Sequence, residues 1–168
     1  MSIQSRDSAT WERESESDRS VSQEPTMYDK QWVCTTCGYN MIDEMPDVCP
    51  FCGARHDKFT PWYEAAQTYR VTSHRVNDYV TQLLSVPRLG FEHAAYRIET
   101  EAGAVWIDCP SAFNRDLKPV EAICFTHKDF LGASNQYREL WNTQVHLHAL
   151  DTEFPSWRED FNHLISGS

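Results

Sequence analysis

Two pairs of closely spaced cysteines constrain this chain more than any other feature of its sequence. Each pair has the spacing Cys-x2-Cys, and eleven residues separate the pairs. A Cys-x2-Cys pair on a tight turn can direct two thiolates at one ion, and two such turns facing each other complete a tetrahedral shell of four sulfurs. The spacing therefore predicts one metal site with four ligands: Cys34, Cys37, Cys49 and Cys52.

A glycine directly follows the second cysteine of each pair, Gly38 in the first and Gly53 in the second. Glycine takes positive φ without steric cost, so the backbone at these positions can turn its N–H groups inward toward sulfur. Such donors stabilise thiolates and tune a bound metal. We therefore expect both turns to supply hydrogen bonds to the metal ligands.

The residues around the cysteines resemble a known family. The first pair lies in Trp-x-Cys-x2-Cys-Gly-Tyr, a short acidic loop contains Pro46, the second pair lies in Cys-Pro-x-Cys-Gly-Ala, and Phe59 follows. Over residues 30–60 this pattern resembles rubredoxin, and in particular the short-loop rubredoxin domain of rubrerythrins. The resemblance implies one mononuclear Fe(Cys)4 centre, held by the four cysteines, that cycles between ferric and ferrous iron.

The cysteine spacing alone does not choose the metal. A structural zinc ribbon uses the same four ligands, and two disulfides would use the same four cysteines. The Gly-Tyr after the first pair and Pro50 inside the second favour iron, because a zinc ribbon does not require them. Zinc is kept as the alternative metal.

The composition limits the class of partner. The chain has 168 residues and a formal net charge of −10, which would repel a phosphate backbone and instead favours a protein partner with a basic face. No apolar run approaches the roughly 20 residues of a membrane span, and the N-terminus lacks an apolar signal segment. Because six cysteines without an export signal suit a reducing compartment, we expect a cytoplasmic protein.

Composition also divides the chain into three parts. Residues 1–26 are rich in Ser, Glu and Asp and predict a disordered tail, because they cannot bury enough apolar surface to offset chain entropy. Residues 27–60 form the predicted metal-binding domain, and residues 61–168 a second domain. An aromatic cluster near the boundary would pack either beneath the metal loops or between the domains: Phe59, Trp62 and Tyr63.

The second domain alternates apolar strands with one helix. The helix is predicted over 134–141, with Tyr137, Leu140 and Trp141 on one face, and a parallel βαβ unit with a right-handed crossover is expected around it. The strand at 104–109 is apolar enough to predict burial on both faces. Strands are predicted over 69–76, 79–86, 94–100, 104–109, 122–126 and 144–150, with a turn at 87–90.

A second resemblance covers residues 70–151. A hairpin ending Gly-x-Val-x-Ile-Asp, followed by an apolar strand ending Thr-His, resembles the first half of a metallo-β-lactamase-like domain. In that family the next loop reads His-x-His-x-Asp-His and gathers most ligands of a hydrolytic metal site. Here only His127 and Asp129 can match ligands, and Phe130 stands in the place of the last histidine. The resemblance implies a shortened, catalytically degenerate half-domain.

The other candidate ligands of the second domain are weaker. His146 and His148 lie two apart on a predicted strand and could join His127, since a catalytic metal needs about three protein ligands. Whether these residues or Asp129 bind a second metal is left open. Cys109 and Cys124 lie in or beside buried strands and are expected to behave as small hydrophobic residues that bind no metal.

These observations predict an α+β protein: a small rubredoxin-like knuckle domain followed by a shortened α/β metallo-β-lactamase-like half-domain. The predicted function is electron transfer through one Fe(Cys)4 centre, with the second domain as a docking platform for a redox partner and no catalytic residues. One alternative is a zinc-ribbon interaction module. Another is a residual metallo-hydrolase or a partner of a flavodiiron-type oxidoreductase. The apolar strands also predict that a partner protein or a second copy covers the sheet, rather than the metal domain.

Overall fold

The computed structural model describes residues 30–151 and the strand at residues 163–165. They form a mixed α+β fold that is mostly sheet, with a metal knuckle near the N-terminus. A three-stranded sheet carries the knuckle, and a seven-stranded sheet forms the rest. The tail predicted at residues 1–26 lies outside the described residues.

The small sheet places the two cysteine pairs on neighbouring turns. Its central strand β1 (Gln31–Cys34) pairs antiparallel with β2 (Asn40–Ile42) on one side and β3 (Phe59–Pro61) on the other. Cys34 ends β1, and the first turn leads directly into β2. The second pair lies in the connection from β2 to β3, so the sheet brings both turns to one end of β1.

A short helix, α1 (Trp62–Thr68), joins the two sheets and was not predicted. Seven residues are too few to show a helical period, and only Ala65 among them is buried. Strand β3 was also missed because its three residues carry no alternation of apolar and polar side chains.

The large sheet begins with an antiparallel meander and ends in parallel strands. Four strands form the meander: β4 (Arg70–Arg75), β5 (Val80–Val86), β6 (Ala95–Thr100) and β7 (Gly103–Ile107). Strands β8 (Ala122–Cys124), β9 (Gln144–His148) and β10 (His163–Ile165) follow, parallel to β7. The strands predicted between residues 69 and 150 are therefore confirmed, with bounds that differ by at most two residues at either end.

Helix α2 (Ser134–Trp141) connects β8 to β9, and this parallel βαβ unit was predicted. Tyr137 is fully buried and Trp141 is partly buried against the core. Leu140, predicted on the same face of the helix, remains 40% exposed. None of the described helices is long and apolar enough to cross a membrane.

The main core lies between α2 and one face of the large sheet. The Trp106 ring meets the rings of Tyr137 and Trp141 edge-on, with ring centroids 4.8 Å and 5.2 Å apart. The prediction that β7 is buried on both faces was wrong. Trp106 is buried, but its neighbours Val105 and Ile107 are only half-buried, because α2 and the β7–β8 connection pack on the other face.

The small sheet shares this core. Val33 and Ile42 are buried in one apolar cluster with Ala65 of α1 and Trp106 of the large sheet. The metal knuckle is therefore packed onto the second part of the chain, rather than attached to it by a free linker.

Candidate metal centre

The four cysteine sulfurs converge on one point. Their Sγ atoms all lie within 4.8 Å of one another, and the Cys34–Cys52 and Cys37–Cys49 Sγ pairs are each 3.8 Å apart. Four sulfurs placed tetrahedrally at about 2.3 Å from one ion lie about 3.8 Å apart. A disulfide needs about 2.05 Å, so the described cysteines are free and the disulfide alternative is not what the structure shows.

The two turns have the same backbone geometry. Gly38 N donates to the Cys34 carbonyl over 2.7 Å, and Gly53 N donates to the Cys49 carbonyl over 2.9 Å. Both glycines adopt positive φ, 80° and 75°. This left-handed conformation ends each turn and sends the chain away from the ligands, as the sequence predicted.

Backbone groups in the turns lower the pKa values of the thiols. Hydrogen bonding by the backbone of Thr36 and Cys37 lowers the pKa of Cys34, and that of Tyr39 opposes the rise in the pKa of Cys37. In the second turn the backbone of Phe51 and Cys52 opposes the rise in the pKa of Cys49. Each such bond stabilises a thiolate more than a thiol, so the turns favour the charged form that a metal requires.

The pKa values of the thiols show that four adjacent thiolates need a compensating positive charge. A hydrogen bond from the Cys37 thiol, assisted by the N–H groups of the turn, lowers the pKa of Cys34 to about 5 despite burial. The bond with Cys34 and burial raise the pKa of Cys37, and burial raises the pKa of Cys49. The cluster therefore resists four negative charges, and a bound cation would supply the compensating charge.

Burial around the cluster is asymmetric. Cys34, Cys37 and Cys49 are buried, whereas Cys52 is partly exposed. Tyr39 is buried against the cluster, and Phe59 packs on it as the sequence suggested. The rest of the predicted aromatic cluster divides: Trp62 packs against the main core, with the Phe113 ring 5.7 Å away, and Tyr63 is exposed.

The first turn is pressed against the large sheet's loops. A side chain at Gly38 would overlap the Ser111 hydroxyl, and a side chain at Gly90 would overlap the Thr36 carbonyl. That carbonyl accepts a hydrogen bond of 3.0 Å from Phe91 N. These contacts hold the residues on either side of Cys37 against the second part of the chain, and Cys37 is only 2% exposed.

A buried polar network ties the knuckle to the second part of the chain. Gln31 donates to Asn40 Oδ1 over 2.7 Å and to the Gly132 carbonyl over 3.1 Å, and it accepts a bond of 2.9 Å from Gln136. Asn40 in turn donates to the carbonyls of Gly38 and Ser111. Sequence reasoning missed this network, since its members are up to 105 residues apart and form no motif.

A buried carboxylate, also missed, lies behind the first turn. Glu92 accepts hydrogen bonds from Ser85 N and Ser85 Oγ at 3.1 and 2.7 Å, and from Ser111 N at 3.3 Å. Because Ser111 contacts Gly38, this carboxylate fixes the loop on which the first turn rests. Glu92 lies among apolar residues in the sequence, and no local pattern there predicts a buried carboxylate.

The loop after β8 brings together two of the candidate ligands of the second domain. His127 Nδ1 lies 3.2 Å from an Asp129 carboxylate oxygen and accepts a bond from Asp129 N. Phe130 meets the Phe51 ring of the second turn edge-on at 6.3 Å and stacks on His93 at 4.5 Å. Phe130 therefore makes an aromatic contact with the metal knuckle.

The remaining candidates do not complete a second metal site. His146 lies opposite Cys124 in the β8–β9 register, and His148 Nδ1 accepts a bond from Leu150 N. Among the described residues, the four cysteines of the knuckle are the group of three or more ligand atoms close enough to hold an ion. Cys109 is fully buried, and burial raises its pKa well above the usual thiol value.

This geometry defines a thiolate metal knuckle: four convergent sulfurs on two glycine turns, with N–H groups directed at them. Residues 32–60 match the family described as the rubredoxin-like domain of rubrerythrin. The chain thus contains a rubredoxin-like domain with a four-cysteine cluster suited to a metal. Searches of curated proteins and of solved structures found no match. The metallo-β-lactamase-like resemblance of the second domain stays a prediction.

Proposed function

We propose that the rubredoxin-like domain holds one iron as Fe(Cys)4 and that the protein carries single electrons between partner proteins. The observation that carries this proposal is the convergence of four cysteine sulfurs within 4.8 Å of one another, in a segment that matches the rubredoxin-like domain. Bound iron would supply one-electron chemistry between its ferric and ferrous states without a change of ligands. The N–H groups offset the added negative charge of the reduced state, and the rigid turns keep the sulfurs in place.

Electrons would enter and leave on the Cys52 side, because that ligand is the partly exposed one. Phe51 in the second turn and Met45 in the loop before it are exposed apolar side chains, and the exposed acidic residues Asp43, Glu44 and Asp47 lie in the same loop. An exposed loop with acidic and apolar side chains suits a redox partner that presents a basic surface, since opposite charges steer encounter.

The second domain supports this function as a docking platform. It covers the Cys37 side of the cluster, and its Phe91 ring is 78% exposed directly beside the first turn. Exposed aromatic side chains are frequent anchors of protein interfaces. A partner that reaches the metal site would therefore also contact the second domain.

Two alternatives use the same structure differently. Zinc would take the same four sulfurs and make the knuckle a structural interaction module. A residual hydrolase, or a role beside a flavodiiron-type oxidoreductase, would need a metal in the second domain. His127 and Asp129 supply only two adjacent ligands for it, and no third described ligand joins them.

The test is the visible spectrum and metal content of protein purified under reducing conditions. We expect a red protein with about one iron per chain and a reversible one-electron couple. Cys37→Ser should lose or severely weaken the metal, because only three sulfurs remain. The matched control Cys109→Ser should keep metal and colour. A colourless wild-type protein with one zinc would contradict electron transfer and support a structural zinc module. Full metal content in Cys37→Ser would contradict the assignment of the four ligands.

A further inference from the structure

The large sheet has two unlike faces. One face, which carries Trp106 and Ile123, is buried beneath α2 and the β7–β8 connection. On the other, which we term the open face, every described side chain of β4 to β9 is half-buried or exposed. The register places these alternate residues side by side, as in Ile98, Val105 and Ala122.

The centre of the open face is apolar. Its middle strands carry Leu84, Tyr96, Ile98, Val105 and Ile107, and none of these side chains is fully buried. A contiguous apolar surface of this kind is costly to leave in contact with water and favours association.

The open face also carries no acidic residue on its described strands, although the chain has 25 Asp and Glu. The side chains on this face are instead apolar, neutral polar or basic. The full set on β4 to β9 is Arg70, Thr72, His74, Val80, Gln82, Leu84, Val86, Tyr96, Ile98, Thr100, Gly103, Val105, Ile107, Ala122, Cys124, Gln144, His146 and His148.

We propose that the open face is the interface of a homodimer in which two copies of this chain pack sheet against sheet. Two chains of net charge −10 repel each other, and an interface that buried unpaired carboxylates would add a large desolvation cost. The open face lets two copies meet without burying a carboxylate, and its one arginine, Arg70, lies on the edge strand β4. A basic partner has no carboxylate to pair with there, so the charge pattern selects a second copy and leaves the acidic metal loop for the redox partner.

The size of the face fits this role. Seven strands about 4.8 Å apart span about 29 Å, and a five-residue strand covers about 17 Å, so the flat face measures about 500 Å² before side-chain relief is counted. Specific interfaces bury about 600 to 1,000 Å² per partner, so the flat area lies just below that range and side-chain relief must supply the rest. We therefore expect a weak dimer that dissociates at micromolar concentrations.

A pair of isosteric substitutions tests the interface. Gln82→Glu places a carboxylate on the open face. Gln82 Nε2 now donates a hydrogen bond of 3.3 Å to the Tyr96 hydroxyl, and in the variant that hydroxyl can donate to the carboxylate instead. Gln67→Glu adds the same charge on an exposed position of α1. In a two-fold dimer the Gln82→Glu carboxylate occurs twice in the interface, so this substitution should weaken dimerisation about tenfold or more. Gln67 lies outside the interface, so Gln67→Glu should change the dissociation constant by less than about twofold.

Sedimentation of the metal-loaded full chain over a range of concentrations measures both effects, with circular dichroism as the check of folding. A concentration-dependent dimer that only Gln82→Glu weakens supports the interface. A wild type that stays monomeric at about 100 μM, far above the expected dissociation constant, would overturn it. So would equal weakening by both substitutions, which would place the contact elsewhere. The result does not depend on whether the knuckle holds iron or zinc.

Discussion

At the scale of single residues, the two glycines of the metal turns look equivalent in sequence but are constrained differently. Both adopt positive φ. A Cβ at Gly53 would meet no atom within 4 Å, whereas a Cβ at Gly38 would overlap the Ser111 hydroxyl and lie 3.4 Å from Glu92 Cγ. Gly53 is therefore required by its turn alone, and Gly38 is required by its turn and by the packing of the knuckle on the second domain.

This difference predicts unequal costs for the same substitution. Gly53→Ala should lower the free energy of unfolding by about 1 to 2 kcal/mol, the cost of left-handed backbone at alanine. Gly38→Ala should lower the free energy of unfolding by this amount and by about 1 to 3 kcal/mol more, because its side chain would be overpacked against Ser111. Denaturant unfolding of the metal-loaded proteins measures both values. Equal losses would show that Ser111 yields without cost and that the first turn is not held by this contact.

His93 gives a pH dependence to the same junction. Burial lowers the pKa of its imidazole, although its bond of 2.9 Å to the Cys109 carbonyl opposes the shift. The folded pKa is therefore below the unfolded value of about 6.5. As the pH falls through about 6.5, the unfolded state takes up a proton that the folded state resists, so the free energy of unfolding decreases.

We therefore expect the wild type to lose stability below about pH 6.5, by at most about 1.4 kcal/mol per pH unit from this residue. His93→Gln should show a smaller loss over the same range. His56→Gln, at an exposed position outside the open face, is the matched control and should follow the wild type. Identical profiles for wild type and His93→Gln, measured by urea unfolding from pH 7.5 to 5, would remove His93 as the cause.

At the scale of elements, the sequence predicted what local pattern determines. The β4–β5 and β6–β7 hairpins and α2 follow from alternation and helical period, and the metal ligands follow from spacing within 19 residues, Cys34 to Cys52. Burial of each face could not be predicted, because it depends on which side the crossovers take. Val105 was predicted to be buried and is only half-buried for this reason.

The surroundings of the site were harder to predict than its ligands. Gln31 and Gln136 meet only after the small sheet docks beside the N-terminal turn of α2, and neither has a sequence signal for a buried bond. Glu92 is likewise a carboxylate whose burial depends on donors from two distant segments. Predicting such contacts requires the arrangement of the elements, which local patterns do not contain.

At the scale of the whole molecule, the knuckle and the large sheet share one apolar core. Val33 and Ile42 belong to the cluster that contains Trp106, and the Gln31 network closes the polar part of the same junction. Metal binding by four thiolates contributes directly to folding free energy, because the unfolded chain has no formed site. Its loss should therefore weaken the second domain as well as the knuckle.

We expect metal-loaded protein to unfold in one thermal transition, and removal of the metal by a chelator under reducing conditions to lower its midpoint by more than about 10 °C. Circular dichroism reports mainly the large sheet and tryptophan fluorescence reports the core, so both signals should shift together. Cys37→Ser, which lacks a ligand, should melt near the chelated midpoint with or without chelator. Two separate transitions, with the sheet signal unmoved by metal removal, would show instead that the knuckle folds as an independent unit and that the shared core couples the two parts only weakly.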